Sequence, residues 1–448
     1  MIAADSPEIA VYIPENERLR GLLSRLPHKL VRYADHARLL LSLILDKRCT
    51  GRLDAGDWAR LQWNILVRYI PARQLAPLKM FLIDHGALTT PDSYSPEKRS
   101  MGYRIEPCFD GPPVRVVLRD RLLVRKLRDY RAGKGKQHDG PPAELVEARG
   151  PILDAMWDAL RRLHLSEPAE AIQRKLAPEG RRADNIRLTT NIIEYGDHGR
   201  PTIAPRGWRV NSVITHAARV VRPFLRYDDL VLVELDVANS QPLILAALLR
   251  QSQKRKTYVC GARHIGPVSG CLSCSPCCVC GSSVTLPCVD LPDSEVEEFA
   301  RLCEECRIYE HLQARGGFAD RKTVKTQLFS QLLFSPTHID GDMTRLFRYL
   351  WPELFEWITA LKTQYGHEYL AILLQRAESS IVIDGVCGRL LREYPEIPLL
   401  TIHDSLLAPP RHAGTVKQVM EEEFARHGVR ATVKKKGLHA DELTGVQR

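Results

Sequence analysis

The sequence predicts an α+β protein: a small antiparallel sheet assembled from distant segments, with a mainly helical N-terminal region. Two apolar runs rich in leucine and β-branched residues, 231–237 and 397–407, read as buried strands although they lie far apart in the chain. Most of the remaining sequence carries apolar residues at helical spacing, and Thr415 to His427 followed by Val429 to Val433 reads as a further helix and strand. At 448 residues, 44% hydrophobic and 26% charged, the chain has room for two or three domains and a substantial core. Its net charge of +10 suits a polyanionic partner. No run of 18 apolar residues appears and MIAADSPEIA lacks a basic-then-apolar signal, so a cytoplasmic protein without a membrane span is expected.

Residues 15 to 46 show helical periodicity, broken near Pro27. Asp57 to Val67 and Pro71 to His85 read as helices, Gly86-Ala87-Leu88 as a strand start, Tyr94 to Lys98 as a turn and Gly102 to Ile105 as a strand. Helix, helix, strand, basic turn, strand is the outline of a winged helix, whose second helix enters a groove of nucleic acid; a plain helical packing module is the alternative. From Arg115 to Lys136, nine basic residues face two acids along an apolar stripe, the pattern of a helix with a phosphate-facing or solvated basic side. Residues 133–142 form a Gly- and Pro-rich linker, and 143–176 read as an amphipathic helical pair.

In the first strand-like run, Asp236 stands just before Asn239-Ser240-Gln241-Pro242, where Pro242 cannot continue a central ladder. A carboxylate at a strand end is costly without a positive partner. An isolated Asp there more often caps a helix, but Asp404, flanked by His403 and Ser405, repeats the arrangement in the second run. Two such acids on neighbouring strands form a carboxylate pair able to hold two Mg²⁺ for in-line displacement at phosphorus. Between them, Arg321, Lys325 and Phe329 recur at i, i+4 and i+8, one face of a helix predicted over Asp320 to Phe334. That face offers two cations to a polyphosphate and a ring to a base.

Nine of the twelve cysteines lie between Cys260 and Cys306, a distribution that points to metal ligation rather than a disulfide framework. Each of the pairs Cys271/Cys274, Cys277/Cys280 and Cys303/Cys306 is a C-x2-C turn, which presents two thiolates to one tetrahedral ion. Cys277, Cys280, Cys303 and Cys306 are the first choice for a structural Zn²⁺. Cys260, Cys271, Cys274 and Cys288 offer a second site, with His264 as a substitute ligand. An iron–sulfur cluster is the alternative.

Asp236 with Ser240-Gln241, then Arg321/Lys325/Phe329, then His403-Asp404-Ser405, resemble in order and element the three motifs of family A DNA polymerases and the related phage-type single-subunit RNA polymerases. The resemblance spans roughly residues 190 to 436. It implies a right-hand polymerase with a palm at 229–258 and 385–448 and fingers at 311–384; the residues themselves add a helical thumb or linker region at 141–228, a Cys-rich zinc-binding insertion at 259–310 and a helical, winged-helix-like nucleic-acid-binding region at 1–140, about which the resemblance says little. It further implies DNA primer-template and nucleoside triphosphates as substrates, with Asp236 and Asp404 holding Mg²⁺ and His403 orienting the primer end. Gln241, Arg321, Lys325 and Phe329 would meet the nucleotide, while Arg200, Arg219, Arg222 and Gln375 would grip primer-template.

The sequence departs from the family where Val237-Ala238-Asn239 lengthens the Asp-to-Ser spacing, and where Leu243 and Leu333 replace the usual Glu and Tyr. His-Asp-Ser is the RNA-polymerase form, whereas Phe329 is DNA-polymerase-like. Deoxynucleotide and ribonucleotide substrates, an RNA partner, and a non-catalytic nucleic-acid-binding replication factor therefore remain alternatives.

Overall fold

The central sheet is built from three separate stretches of chain and positions everything discussed below. In the computed structural model, which describes residues 8–53, 57–91, 100–131, 141–176, 180–254, 257–259, 283–285, 291–335 and 337–438, the chain is α+β with small antiparallel sheets. The central sheet has the order Leu400–Ile402, Ser405–Ala408, Val233–Val237, Val433–Gly437, all antiparallel. Side chains alternate across a strand, so the sheet has two unlike faces. Val233, Leu235, Val237, Leu406 and Val433 are buried in one core with Val416, Val419, Met420 and Phe424 of the Ala413–Arg426 helix. Glu234, Asp236 and Ser405 alternate with these residues and point to the opposite face.

Residues 397–407 do not form the single strand predicted. They make a tight hairpin in which Ile402 pairs with Ser405 and His403-Asp404 is the connection. A two-residue hairpin loop needs positive φ, and His403 supplies it at +57° without a glycine to signal the turn. The first strand stops at Val237, two residues before Asn239, where Pro242 led its end to be expected; Asn239 has φ +52°. The next helix starts at Ser240, with Pro242 in its first turn, where a missing N–H costs nothing. The last strand lies later than predicted, so its three lysines belong to the sheet edge, where charge blocks further pairing.

The predicted Asp320 to Phe334 helix is α-helical over Arg321–Gln327, capped by Asp320 accepting from the Thr323 amide at 2.7 Å. It continues as a π-helix over Leu328–Leu333, whose loosened carbonyl at Leu332 accepts from the buried Lys362 ammonium. The Ala143–Arg161 helix sends Leu145, Ile152, Leu153 and Met156 into the same core as the sheet.

Residues 9 to 127 enclose a separate core. Strand Ala10–Pro14 pairs with Pro113–Val117, and helices Glu17–Ser24, His28–Val31 and Ala34–Cys49 pack beside them. A three-stranded sheet has the order Ala59–Arg60, Gly102–Ile105, Leu88–Thr89, with helices Trp63–Tyr69 and Ala72–Asp84 between its first two strands in sequence. The predicted Asp57 to Val67 helix thus begins only at Trp63, its first part being an edge strand. Tyr94 to Lys98 and most of the 133–142 linker lie outside the described residues. This unit joins the rest through a buried ionic contact: Arg115 grips Asp197 at 2.7 and 3.2 Å, and the Tyr12 hydroxyl donates to the same carboxylate at 2.8 Å. Among the described residues no helix is long and apolar enough to cross a membrane.

Candidate active site

The register of the sheet brings the two predicted acids together. Asp236 stands directly across from Ser405, and Asp404 is the preceding residue in the hairpin turn. Opposed residues in such a ladder have Cβ atoms about 5 Å apart, so the carboxylates share one end of the sheet. Burial pushes the Asp404 carboxyl up, the Ser240 hydroxyl pulls it back, and the negative charge of Asp236 raises it again. Asp236 is ion-paired with Lys436 on the edge strand. Both acids follow or precede a residue held at positive φ, Asn239 and His403, conformations that non-glycine residues adopt at a cost.

Three further charged residues complete the polar face, and motif reading did not find them. Glu234 is buried; one oxygen accepts from Arg222 at 2.7 Å and from the Ser405 hydroxyl at 3.2 Å, and the other has no partner. Its position two residues before Asp236 was the available signal, since strand period puts both on one face. Glu378, on the Tyr369–Ser379 helix, is clasped by Arg209 at 2.6 and 2.8 Å and contacted by Gln241. Burial nevertheless raises the Glu378 carboxyl to about 7, and Asp404 is among the charges acting on it. No sequence pattern linked Arg209 to Glu378; only the tertiary contact does.

His403 is half-buried and held to about 4, chiefly by burial and then by Arg209, His216 and Arg222, so its ring is neutral at physiological pH. Its Nδ1 is buried without a partner. Arg321 and Lys325 are exposed, with the Arg321 guanidinium 4.6 Å over the Tyr309 ring and 3.3 Å from Asn239 Oδ1, which ties this helix to the end of the Asp236 strand. Phe329 is half-buried, edge-on to Phe334 at 4.9 Å.

Other predicted contacts sit differently. Gln241 is buried against Glu378 rather than offered to solvent. Arg222 is spent on Glu234, and Arg200 pairs with Asp154. Arg219 is exposed, on a short 3-10 segment, Arg219–Phe224. Gln375 packs so tightly on Gly207 that a Cβ there would clash with its Oε1. Next to it Trp208 is core, with Arg376 stacked 4.3 Å over its ring.

Cys303 and Cys306 end the Asp293–Glu304 helix in a turn closed by Cys306 N donating to Cys303 O at 3.1 Å. Burial pushes the Cys303 thiol well up, and Cys306 is close enough to add to that. Cys260, Cys271, Cys274, Cys277, Cys280 and Cys288 lie outside the described residues. Among the described residues no three His, Cys, Asp or Glu side chains gather into a metal cage. Asp236, ion-paired with Lys436, and Asp404 are two carboxylate oxygen donors, a set that fits Mg²⁺, which takes one or two carboxylates and completes its shell with water and substrate phosphates. No protein-family model matches this chain, and a search of curated proteins finds no match either.

Proposed function

We propose that this chain is a template-directed nucleotidyltransferase that extends a primer 3′-hydroxyl, with the right-hand arrangement of family A polymerases. The observation that carries the reading is the meeting of Asp236 and Asp404 at one sheet end, beside a helix whose exposed Arg321 hydrogen-bonds Asn239 at the end of the Asp236 strand. The sheet is the palm and the Arg321–Gln327 helix the fingers. Asp236 and Asp404 would hold Mg²⁺, which when bound supplies charge neutralisation and a more acidic 3′-hydroxyl. Arg321 and Lys325 neutralise the triphosphate, and their charge counts most where the developing pyrophosphate gathers negative charge. His403, neutral, orients the primer end by hydrogen bonding rather than by charge. A structural Zn²⁺ on Cys277, Cys280, Cys303 and Cys306 braces the insertion, a reading supported by the spacing and by the closeness of the last two thiols.

The test is primer extension on a labelled primer-template with Mg²⁺ and either four dNTPs or four NTPs, which also decides the sugar. Asp404→Asn should lower extension by at least about a hundredfold and leave primer-template affinity nearly unchanged. Equal loss of both sinks the catalytic assignment, and no extension by the unmodified chain favours a non-catalytic binding factor. Metal analysis of the purified chain and of Cys277→Ser/Cys280→Ser reads the zinc directly.

A further inference from the structure

The N-terminal unit carries a second surface that the proposed catalysis does not use. Its three-stranded sheet runs first, third, second in chain order, and the helices Trp63–Tyr69 and Ala72–Asp84 are joined only by Ile70-Pro71. Leu75, Leu78, Phe81 and Leu82 bury one side of the second helix. Its other side, Arg73, Ala76, Pro77 and Met80, is exposed and carries one cation and no acid until Asp84. Small and unbranched side chains there leave the helix slim enough to enter a groove about 12 Å wide.

A third helix, Arg121–Arg131, supplies the charge. Leu123 and Leu127 anchor it, while Arg121, Arg125, Lys126 and Arg128 are exposed against a single acid, Asp129. Tyr130 in its last turn meets Tyr69 edge-on at 5.8 Å, and Tyr69 ends the first helix of the pair. The basic helix therefore finishes beside the start of Ala72–Asp84, where a helix inserted in a groove meets the flanking phosphates. On the middle strand of the small sheet, the exposed Arg104 stacks 4.6 Å over the Trp58 ring. The unit faces the rest of the chain through other elements, Ala34–Cys49 and Pro113–Val117, by way of Arg48–Asp184 and Arg115–Asp197.

We propose that this unit is a docking site for double-stranded DNA, with Ala72–Asp84 in the major groove and Arg121, Arg125 and Lys126 on the backbone. It is separate from the polar face of the central sheet and stands whether or not that face is catalytic. The measurement is fluorescence anisotropy of the full chain on a blunt DNA duplex, without Mg²⁺ or nucleotides, over a range of salt. Arg121→Gln/Arg125→Gln/Lys126→Gln should weaken binding on the order of tenfold and flatten the log–log salt slope by roughly 3, about one per lost phosphate contact. Arg125→Gln alone should flatten it by about one, a milder change that guards against a folding defect in the triple variant. Unchanged salt slopes overturn the proposal. So does an equal affinity for duplex RNA, whose deep, narrow major groove excludes a helix, or an equal loss from Lys434→Gln/Lys435→Gln on the central sheet.

Discussion

On one face of the central sheet Val233, Leu235, Val237 and Leu406 are buried against the Ala413–Arg426 helix; on the other, one residue along each strand, stand Glu234, Asp236 and Ser405. The strands are the same, and the surroundings of their two faces are not. The apolar face is held by close packing that works with any well-fitting neighbour. The polar face needs named partners: Arg222 for Glu234, Lys436 for Asp236, Ser240 for Asp404, and Arg209 for Glu378 nearby. A buried charge left alone is far more costly than a missing methyl, so the polar face is the more fragile of the two although it contributes less to the core.

The largest test of that contrast is Arg222→Ala. It strands the buried Glu234, whose second oxygen already lacks a partner, and should cost about 3–5 kcal/mol in chemical unfolding. The double change Arg222→Met/Glu234→Leu should recover most of that, and a double variant as weak as the single one breaks the comparison. On the apolar face, Leu235→Ala should cost about 3 kcal/mol, within the range for deleting a fully buried leucine, with no dependence on pH.

The smallest expected effect concerns Glu378. Its carboxyl is raised from 4.5 to about 7, so the folded state holds a proton that the unfolded chain has released. The stability this contributes is complete below about 4.5 and is lost as pH rises through about 7. Unfolding at pH 5 and pH 8 should therefore differ by about 1–2 kcal/mol more in the parent than in Glu378→Gln. Identical pH slopes would mean that Arg209 keeps Glu378 ionised throughout.

Several elements were legible because their cause is local. The two apolar runs, the capped helix bearing Arg321 and Lys325, and the helix stopped at Gly428 follow from periodicity, caps and breakers within a few residues. Two helices followed by strands were likewise readable from element order after residue 57, but the short strand Ala59–Arg60 that precedes them was not. The hairpin at His403-Asp404 was not, because nothing in the local sequence marks a turn there. Nor was the inward turn of Gln241 and Arg222, two polar side chains that look available until Glu378 and Glu234 are seen beside them.

By itself the sequence determined which residues alternate, which faces are apolar, and that two acids end apolar runs; these depend on chain-local spacing alone. Only the tertiary structure decided that Asp236 lies across from Ser405, that Arg209 and Glu378 meet, and that Arg121–Arg131 ends beside the Trp63–Asp84 helix pair. Register and packing are set by sums of many distant contacts, and no short stretch of chain contains that information.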